Sequence, residues 1–298
     1  MKLSEFYANH FAPIYLARAK KRTHDAYKQI LNFWISELND DAEISKISPA
    51  DCNQFVSIAL EKVKPDTVAK YCRHMNTMFL KMAKPGYRNR EAFGFIENPP
   101  YCKPPKLMVR LPKEISDRQL LKHIEALGDI KEFPKCVDEP LRPKWWKTLC
   151  LFAATTALRR GVIFDIKWDT FDFQKNIFFV SPEIDKVNNE RIKFLHPQLV
   201  KLLLEIRTPG AKVFKWTHGN KKFYQVWNDA CEATGNKIRL HDLKRYASQV
   251  AIRSGADIAS LREFCDHSNI STTLKHYARG NVEALVSNLQ LPAEVWND

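Results

Sequence analysis

The sequence predicts a mostly α-helical protein with a small antiparallel β-sheet, divided into two domains. Two observations predict this fold class. Apolar residues recur at helical spacing over most of the 298 residues, whereas after Asp165 the spacing shifts toward two. A proline-rich stretch near residue 100 separates an all-helical first part from a second part that combines helices with strands.

The first predicted domain spans residues 1–98 and contains about four helices separated by short polar turns. Three helix starts are predicted from capping residues, at Thr23, at Ser48 followed by Pro49, and at Asp66 or Thr67. Residues 99–113 are basic and proline-rich, which predicts an interdomain linker. The linker could lie along a phosphate backbone, and a plain spacer explains its composition equally well.

The second predicted domain spans residues 114–298. Its strand candidates are "IKWDTFDF", "NIFFVS" and "ERIKFL", with turns at Gln174–Asn176 and at Asn188–Asn189, which predicts a three-stranded antiparallel meander. Helices precede the strands and resume after them, and one of these is "IRLHDLKRYASQVAIRSG", residues 238–255.

The charge balance points to a polyanionic partner. Forty-seven Lys and Arg against 34 Asp and Glu give a net charge of +13 and a pI near 9.3. An anionic membrane surface and a merely solvated basic surface are the alternatives. The N-terminus has charges inside its apolar stretch, and no run of about 18 apolar residues occurs, so neither a signal peptide nor a membrane span is expected.

Seven cysteines, scattered and without a C-x-x-C pair, suit a reducing compartment. We therefore expect a soluble, cytoplasmic protein associated with the nucleoid. The motifs G-x-x-x-x-G-K-[ST], G-x-G-x-x-G, H-E-x-x-H and G-x-S-x-G are all missing, which argues against P-loop, dinucleotide, zincin and serine hydrolase chemistry. Cys265, His267 and His276 match no familiar zinc spacing, so neither a metal nor a cofactor is expected.

The helix predicted over residues 238–255 begins with an unusual concentration of basic groups. His241, Lys244 and Ser248 fall on one face, with Arg245 beside them. Leu243, Tyr246, Ala247 and Val250 fall opposite and predict the side that faces the core. Because a helix N-terminus is already positive, cations there indicate a site for an anion, most simply a phosphate. A solvated basic face is the alternative.

Further candidates for the site are Arg159, Lys186, His267 and Tyr277. Each of them alone is explained equally well by an ordinary structural role, but their order along the chain favours a functional one. "TALR" followed by "DIKWDTFD", a hairpin lysine with Arg191 five residues on, "HDLKRYAS", "DHSNISTT" and "HYAR" together resemble the tyrosine recombinase, or phage integrase, family. The resemblance covers about residues 113 to 285. It extends more weakly into the first domain, where "PDTVAKYCRHMNTMF" and "ENP" look like a core-binding domain.

The resemblance implies an α+β catalytic domain that cleaves and rejoins DNA without a metal. Tyr277 would attack phosphorus and form a 3′-phosphotyrosine, Lys186 would protonate the leaving 5′ oxygen, and Arg159 would hold the phosphate. His241 and His267 would orient and neutralise it. Preorganised cations suit this reaction because charge builds on the non-bridging oxygens in the transition state.

Two positions depart from the family pattern. Lys244 stands where the family's H-x-x-R motif has its second arginine, and a lysine keeps the charge but lacks the fork that holds two oxygens. Arg245 points about 100° away on a helix and is a poor substitute. Val162 replaces an acidic residue usual three positions after Arg159, so the sequence predicts that Arg159 lacks its usual acidic partner.

The implied partner is a specific site in double-stranded DNA, bound by a homo-oligomer expected to be a tetramer, with the two domains clamping the duplex. The residues predicted to contact DNA are Lys20, Lys21, Arg22, Lys70, Arg73, Lys103, Lys106, Arg110 and Arg245. The final helix candidate, "VEALVSNLQ", would dock its apolar stripe either on a neighbouring protomer or on its own domain.

Three alternatives to an active recombinase remain open at this point. The chain could be a DNA-binding relative that regulates or shields a site, an enzyme that only nicks and religates, or a module that binds acidic proteins.

Overall fold

The chain forms two compact units, Met1–Leu111 and Pro112–Asp298. The structure is a computed structural model, and it describes residues 1–86, 89–108, 114–131, 137–185 and 190–266. Most described residues are helical, and the described strands form one three-stranded antiparallel sheet, which confirms the predicted fold class. No helix in the described part of the chain combines the length and apolarity needed to cross a membrane.

The first unit is helical. Its elements are α1 (Leu3–Phe6), which continues as a π-helix over Tyr7–Tyr15, then α2 (Lys21–Leu38), α3 (Pro49–Lys62) and α4 (Pro65–Met82). Large aromatic side chains fill the space between them. Trp34 of α2, Phe55 of α3 and Phe79 of α4 are fully buried, and the Trp34 ring lies 4.8 Å from Phe55 and 5.6 Å from Phe79 between centroids. Such aromatic contacts bury large apolar areas and fix how the helices pack.

One of the three predicted helix starts is right and two are misplaced. Ser48 caps α3 as predicted, because its Oγ accepts a hydrogen bond from Asp51 N at 3.3 Å while Asp51 Oδ2 accepts one from Ser48 N at 2.8 Å. Helix α2 begins at Lys21, two residues before the predicted cap Thr23. Helix α4 begins at Pro65, since a proline at the first helical position needs no hydrogen bond to its nitrogen.

The first part of the predicted linker packs with the first unit. Cys102 is fully buried in that unit's core. Asn76 on α4 holds its backbone from both sides: the side-chain amide donates to Cys102 O at 2.9 Å, and Asn76 Oδ1 accepts from Cys102 N at 2.7 Å. These bonds fix the path of the chain as it leaves the helical unit.

The second unit surrounds a central apolar helix. Its helices are α5 (Asp117–Gly128), α6 (Arg142–Thr156), α7 (Arg160–Asp165), α8 (Pro197–Glu205), α9 (Asn220–Thr234), α10 (Leu240–Arg253) and α11 (Ile258–Phe264). Helix α6 is buried on nearly all sides, with Trp145, Trp146 and Phe152 at its centre, and it packs against α5, α8 and α10. A helix that is apolar all round belongs in the middle of a fold.

The sheet is a meander of β1 (Phe171–Asp172), β2 (Ile177–Val180) and β3 (Arg191–Phe194), as predicted. The first predicted turn lies between β1 and β2, where Asn176 adopts a left-handed φ of 53°. The second predicted turn, at Asn188–Asn189, lies outside the described residues. Phe178 pairs with Lys193 and Val180 with Arg191, so these two basic residues share the inner face of the sheet with apolar partners.

A buried imidazole in the second unit predicts acid sensitivity. His123 on α5 is fully buried, its ring lies 4.5 Å from that of Trp227, and neither ring nitrogen has a hydrogen-bond partner among the described residues. Burial lowers the pKa of His123 to about 4. The unfolded chain would bind a proton near pH 6.5, so stability is lost as the pH falls from about 6.5 toward 4.

We expect His123→Leu to remove this loss, which corresponds to an order of about 3 kcal/mol across the window. The variant should also be more stable near pH 5, because an unsatisfied buried group has been removed. Urea unfolding from pH 4 to pH 7 measures both effects. Parallel curves of unfolding free energy against pH for wild type and variant would contradict this prediction.

Candidate functional site

Four segments of the second unit meet around one group of charged side chains. They are the turn between α6 and α7, the end of the sheet where Asp185 and Arg191 lie, the first two turns of α10, and the end of α11. The turn forms because Ala157 ends α6 with a left-handed φ of 53° and Arg159 then caps the start of α7. The predicted position of Arg159, at a turn between two helices just before the sheet, is therefore confirmed.

Arg159 has an acidic partner after all. Its Nη1 donates to Asp185 Oδ1 at 3.1 Å and lies 3.5 Å from Oδ2 of the same carboxylate. Val162 still removes the acidic partner that is usual three positions after Arg159, and the carboxylate that takes its place comes from a segment 26 residues further along the chain. The Arg159 side chain is one-third exposed, and Asp185 is its only hydrogen-bond partner within the described residues. The rest of the guanidinium is thus available to an anion.

A chain of ion pairs continues from Asp185 into the interior. The Asp185 side chain is 1% exposed, and it pairs with Arg191 of β3 as well as with Arg159. Arg191 Nη1 lies 3.4 Å from Asp266 Oδ1, and Lys193 Nζ lies 2.8 Å from the same oxygen. We name this group of residues the ion chain: Arg159, Asp185, Arg191, Asp266 and Lys193.

Lys244 is buried and bonded to the backbone at two points. Its Nζ donates to Ala157 O at 2.7 Å and to Cys265 O at 2.5 Å, so it joins the turn before Arg159 to the end of α11. Burial, followed by the nearby charge of Arg159, lowers the pKa of Lys244 to about 8. This residue is thus both a structural tie and a charge inside the site.

The predicted anion face of α10 needs correction. His241 is accessible to solvent at the first turn, as expected, and the partial burial of its ring, followed by the charges of Arg245 and Lys244, lowers its pKa. Lys244 and Ser248, however, are 6% and 3% exposed. They are covered because α10 packs against α6 on one side and α11 on the other. The helix therefore presents only its first turn to solvent on this side.

Arg245 is half-buried beside the first turn of α10. Its Nη1 lies 3.9 Å from Asp242 Oδ1, and the same carboxylate binds the Arg239 guanidinium through two hydrogen bonds of 3.0 and 2.9 Å. Arg245 is therefore directed toward the start of the helix. It makes no contact with the ion chain among the described residues.

Three of the six predicted catalytic residues, Lys186, His267 and Tyr277, lie outside the described residues. Two of them directly follow members of the ion chain, since Asp185 precedes Lys186 and Asp266 precedes His267. The described part of the site therefore consists of Arg159, His241 and Lys244 together with the ion chain.

Sequence reasoning missed Asp185, Lys193 and Asp266, and it used Arg191 only as a motif residue. One signal was available. Arg191 and Lys193 alternate along β3 with Ile192 and Phe194, and a strand with charges on one face and apolar residues on the other must turn one set inward. The apolar set would normally be buried. Here Ile192 and Phe194 are 52% and 78% exposed, because the carboxylates of Asp185 and Asp266 hold the charged set inside.

The residues predicted to contact DNA are mostly exposed where they are described. Lys20, Lys21 and Arg22 stand at the start of α2, and Lys70 and Arg73 lie one turn apart on α4. Lys103 and Lys106 are exposed beyond Cys102, whereas Arg110 lies outside the described residues. Cations at a helix start oppose the helix dipole, which is tolerated most easily where an anion binds. No cluster of possible metal ligands occurs in the described ranges.

The chain belongs to the phage integrase family, because a profile of that family matches residues 128–284, more than half of its length. Solved structures have the same fold. A Tn1549 transposon integrase in complex with transposon right end DNA matches with a TM-score of 0.71 at 13% identity, over 96% of this chain and 100% of that one. No curated protein is significantly similar in sequence.

Two further matches are recombination proteins bound to DNA. A lambda integrase dimer on a COC' core site has a TM-score of 0.70 at 14% identity, over 93% of this chain and 77% of that one. The XerH site-specific recombinase bound to palindromic difH has a TM-score of 0.68 at 13% identity, over 94% and 82% of the two chains. At such identities the likeness is one of fold.

Proposed function

We propose that this protein is a site-specific DNA recombinase that cleaves and rejoins DNA through a 3′-phosphotyrosine at Tyr277. The observation that carries the proposal is the junction at Lys244. Its ammonium holds the turn that leads into Arg159 and the segment that leads into His267, so sequence positions more than 100 residues apart approach one another. This approach supports the proposal, because a scissile phosphate must be held by side chains from several separate segments.

The proposed chemistry uses only side chains of this chain. The Tyr277 oxygen attacks phosphorus and forms a P–O bond as the bond to the 5′ oxygen breaks. The proton of the Tyr277 hydroxyl passes to water, and Lys186 donates a proton to the leaving 5′ oxygen. Arg159, His241, Lys244 and His267 stabilise the charge on the non-bridging oxygens. Attack by a 5′ hydroxyl on the phosphotyrosine reverses the steps and joins the strands. No metal or cofactor takes part.

The proposed partner is a specific duplex DNA site, bound by an oligomer that we propose to be a tetramer. The net charge of +13 and the exposed cations of the helical unit support binding to the phosphate backbone. We propose that the helical unit is a core-binding domain and that residues beyond Cys102 form a basic linker along the duplex. The two units would then clamp the DNA, and the protein would be associated with the nucleoid.

A covalent-trapping experiment tests the proposal. A binding site is first selected from a random duplex library with the purified protein, and a nicked version of that site is then prepared so that cleavage releases a short fragment and cannot be reversed. We expect a denaturant-resistant protein–DNA adduct with wild type and none with Tyr277→Phe, which lacks the nucleophile. Tyr246→Phe is the matched control, because the Tyr246 hydroxyl of α10 donates to Asp117 at the start of α5 and should be dispensable.

A DNA-binding relative without strand exchange is the second candidate function. The specific observation in its favour is Lys244, which stands at the family's second arginine position and already donates to two backbone carbonyls. A fork that could bind two phosphate oxygens is thus replaced by an ammonium with one proton left to donate. Tight, salt-sensitive binding of the selected site with no adduct from wild type would favour this candidate over the enzyme.

A further inference from the structure

We propose that Arg191 is a positioning residue, which holds the segments leading into Lys186 and His267 in register with Arg159 before DNA binds. This inference rests on the proposed function and deepens it. Its basis is the geometry of the ion chain, in which Arg191 contacts both carboxylates and is the only described side chain to do so.

The two carboxylates lie directly before two of the proposed catalytic residues. Asp185 precedes Lys186, and Asp266 precedes His267. Anchoring each carboxylate restrains the backbone that carries the next residue, since neighbouring Cα atoms are 3.8 Å apart across a rigid peptide. Arg159 also pairs with Asp185. The Arg191 guanidinium therefore links the carboxylate that contacts Arg159 to the carboxylate that precedes His267.

The end of α11 needs such support because of its backbone conformation. Asp266 adopts a left-handed φ of 53°, a conformation that non-glycine residues rarely adopt. Lys193 reinforces the arrangement, since its Nζ donates to Phe264 O at 2.6 Å as well as pairing with Asp266. The segment before His267 is thus held from β3 through the Phe264 carbonyl and the Asp266 carboxylate.

The energetics favour a geometric role over a stabilising one. The side chains of Asp185 and Asp266 are 1% and 2% exposed, and that of Arg191 is 16% exposed. Burying such charges carries a desolvation cost that their pairing only approximately offsets, and apolar replacements are often as stable. A chain of three cations and two carboxylates also keeps one excess positive charge beside the proposed phosphate site.

The test compares Arg191→Gln and Arg191→Lys with wild type on the nicked substrate at saturating DNA. We expect Arg191→Gln to lower the cleavage rate by about 10²-fold, the size of effect that a small misplacement of catalytic groups produces. The dissociation constant for the uncleaved site should change by less than about threefold, because Arg191 is not proposed to touch DNA. Arg191→Lys keeps the charge but reaches one carboxylate at a time, so it should restore part of the rate.

Arg253→Gln is the matched control. Arg253 on α10 also pairs with an aspartate, Asp117, at 3.0 Å, but both side chains are more than half exposed, and neither contacts the ion chain among the described residues. The cleavage rate of Arg253→Gln should stay within about twofold of the wild-type rate, because a surface ion pair contributes little. A wild-type cleavage rate in Arg191→Gln, or a loss that appears only in DNA affinity, would overturn the inference.

Hydrogen exchange without DNA separates this inference from the proposed function. Arg191→Gln should speed amide exchange both in β3 and at Cys265–Asp266, whereas Arg253→Gln should speed neither. If wild type forms no adduct, the proposed enzymatic function fails, yet the exchange experiment still decides whether Arg191 links the two segments. If exchange becomes faster in β3 alone, or does not change at either segment, Arg191 does not link the two segments.

Discussion

Replacing Arg159 with lysine is expected to lower the rate of DNA cleavage by about 10²–10³-fold, the loss typical when a preorganised donor to a transition-state anion is removed. In the structure one nitrogen of the guanidinium holds Asp185 at 3.1 Å while the remainder is available to a phosphate. A lysine ammonium is a compact charge without the guanidinium's fork, so it cannot contact the carboxylate and the phosphate at the same time. Charge alone would therefore not restore activity.

Single-turnover cleavage of the nicked substrate measures this loss. Arg160→Lys is the matched control, because the neighbouring Arg160 stacks its guanidinium over the rings of Phe164, Phe223 and Tyr224 and does not contact Asp185. The cleavage rate of Arg160→Lys at saturating DNA should stay within about threefold of wild type, as expected of a residue that makes no transition-state contact. Wild-type cleavage by Arg159→Lys would show that Arg159 need not hold Asp185 and the phosphate at the same time.

Replacing Lys244 with methionine is expected to lower cleavage by about 10²-fold or more, because it removes a charge from the site and leaves the carbonyls of Ala157 and Cys265 without their partner. The sequence alone predicts that Lys244→Arg preserves or raises cleavage. In the structure Lys244 is buried, so the larger guanidinium of Lys244→Arg must fit a site shaped for an ammonium, and we expect a lower cleavage rate than the sequence alone predicts. We expect Lys244→Arg to stay within about tenfold of wild type.

The pH dependence distinguishes the two variants from wild type. With a pKa of about 8, Lys244 is charged below that pH and loses its proton as the pH rises through it. The contribution of Lys244 to the wild-type cleavage rate should therefore decline above about pH 8. Arginine stays charged in this range, so Lys244→Arg should lack the decline, and the ratio of its rate to that of wild type should rise from pH 7 to pH 9.5.

A constant ratio of the two cleavage rates over that range would mean that Lys244 does not titrate within the site.

The pH dependence of folding stability tests the same pKa without relying on catalysis. The unfolded chain binds a proton at Lys244 up to about pH 10.4, whereas the folded chain releases it near pH 8, so wild type should gain stability between these values. Lys244→Met should lack that gain. Equal cleavage by wild type, Lys244→Met and Lys244→Arg would exclude Lys244 from the site.

The elements of the fold could be predicted from the sequence because their signals are local. The period of apolar residues predicts the helices and the change to strands after Asp165, and Ser48 with Pro49 predicts the start of α3. The starts of α2 and α4 were misplaced, since Lys21 and Pro65 begin helices before the residues with the best capping side chains. Helix ends depend on a few weak contacts that a local pattern determines poorly.

The sequence by itself determined the family, the order of the candidate residues and the excess of positive charge, since each of these depends only on residue identity and spacing. The tertiary structure decided which carboxylate faces Arg159, that Lys244 is buried, and that Arg191 and Lys193 point inward while Ile192 and Phe194 face solvent. Those outcomes depend on contacts between residues far apart in the chain, such as Asp185 with Arg159, 26 positions apart, and Lys244 with Ala157, 87 positions apart. Ionic contacts of that range override the local preference of a strand because an unpaired charge in the interior costs more than an exposed apolar side chain.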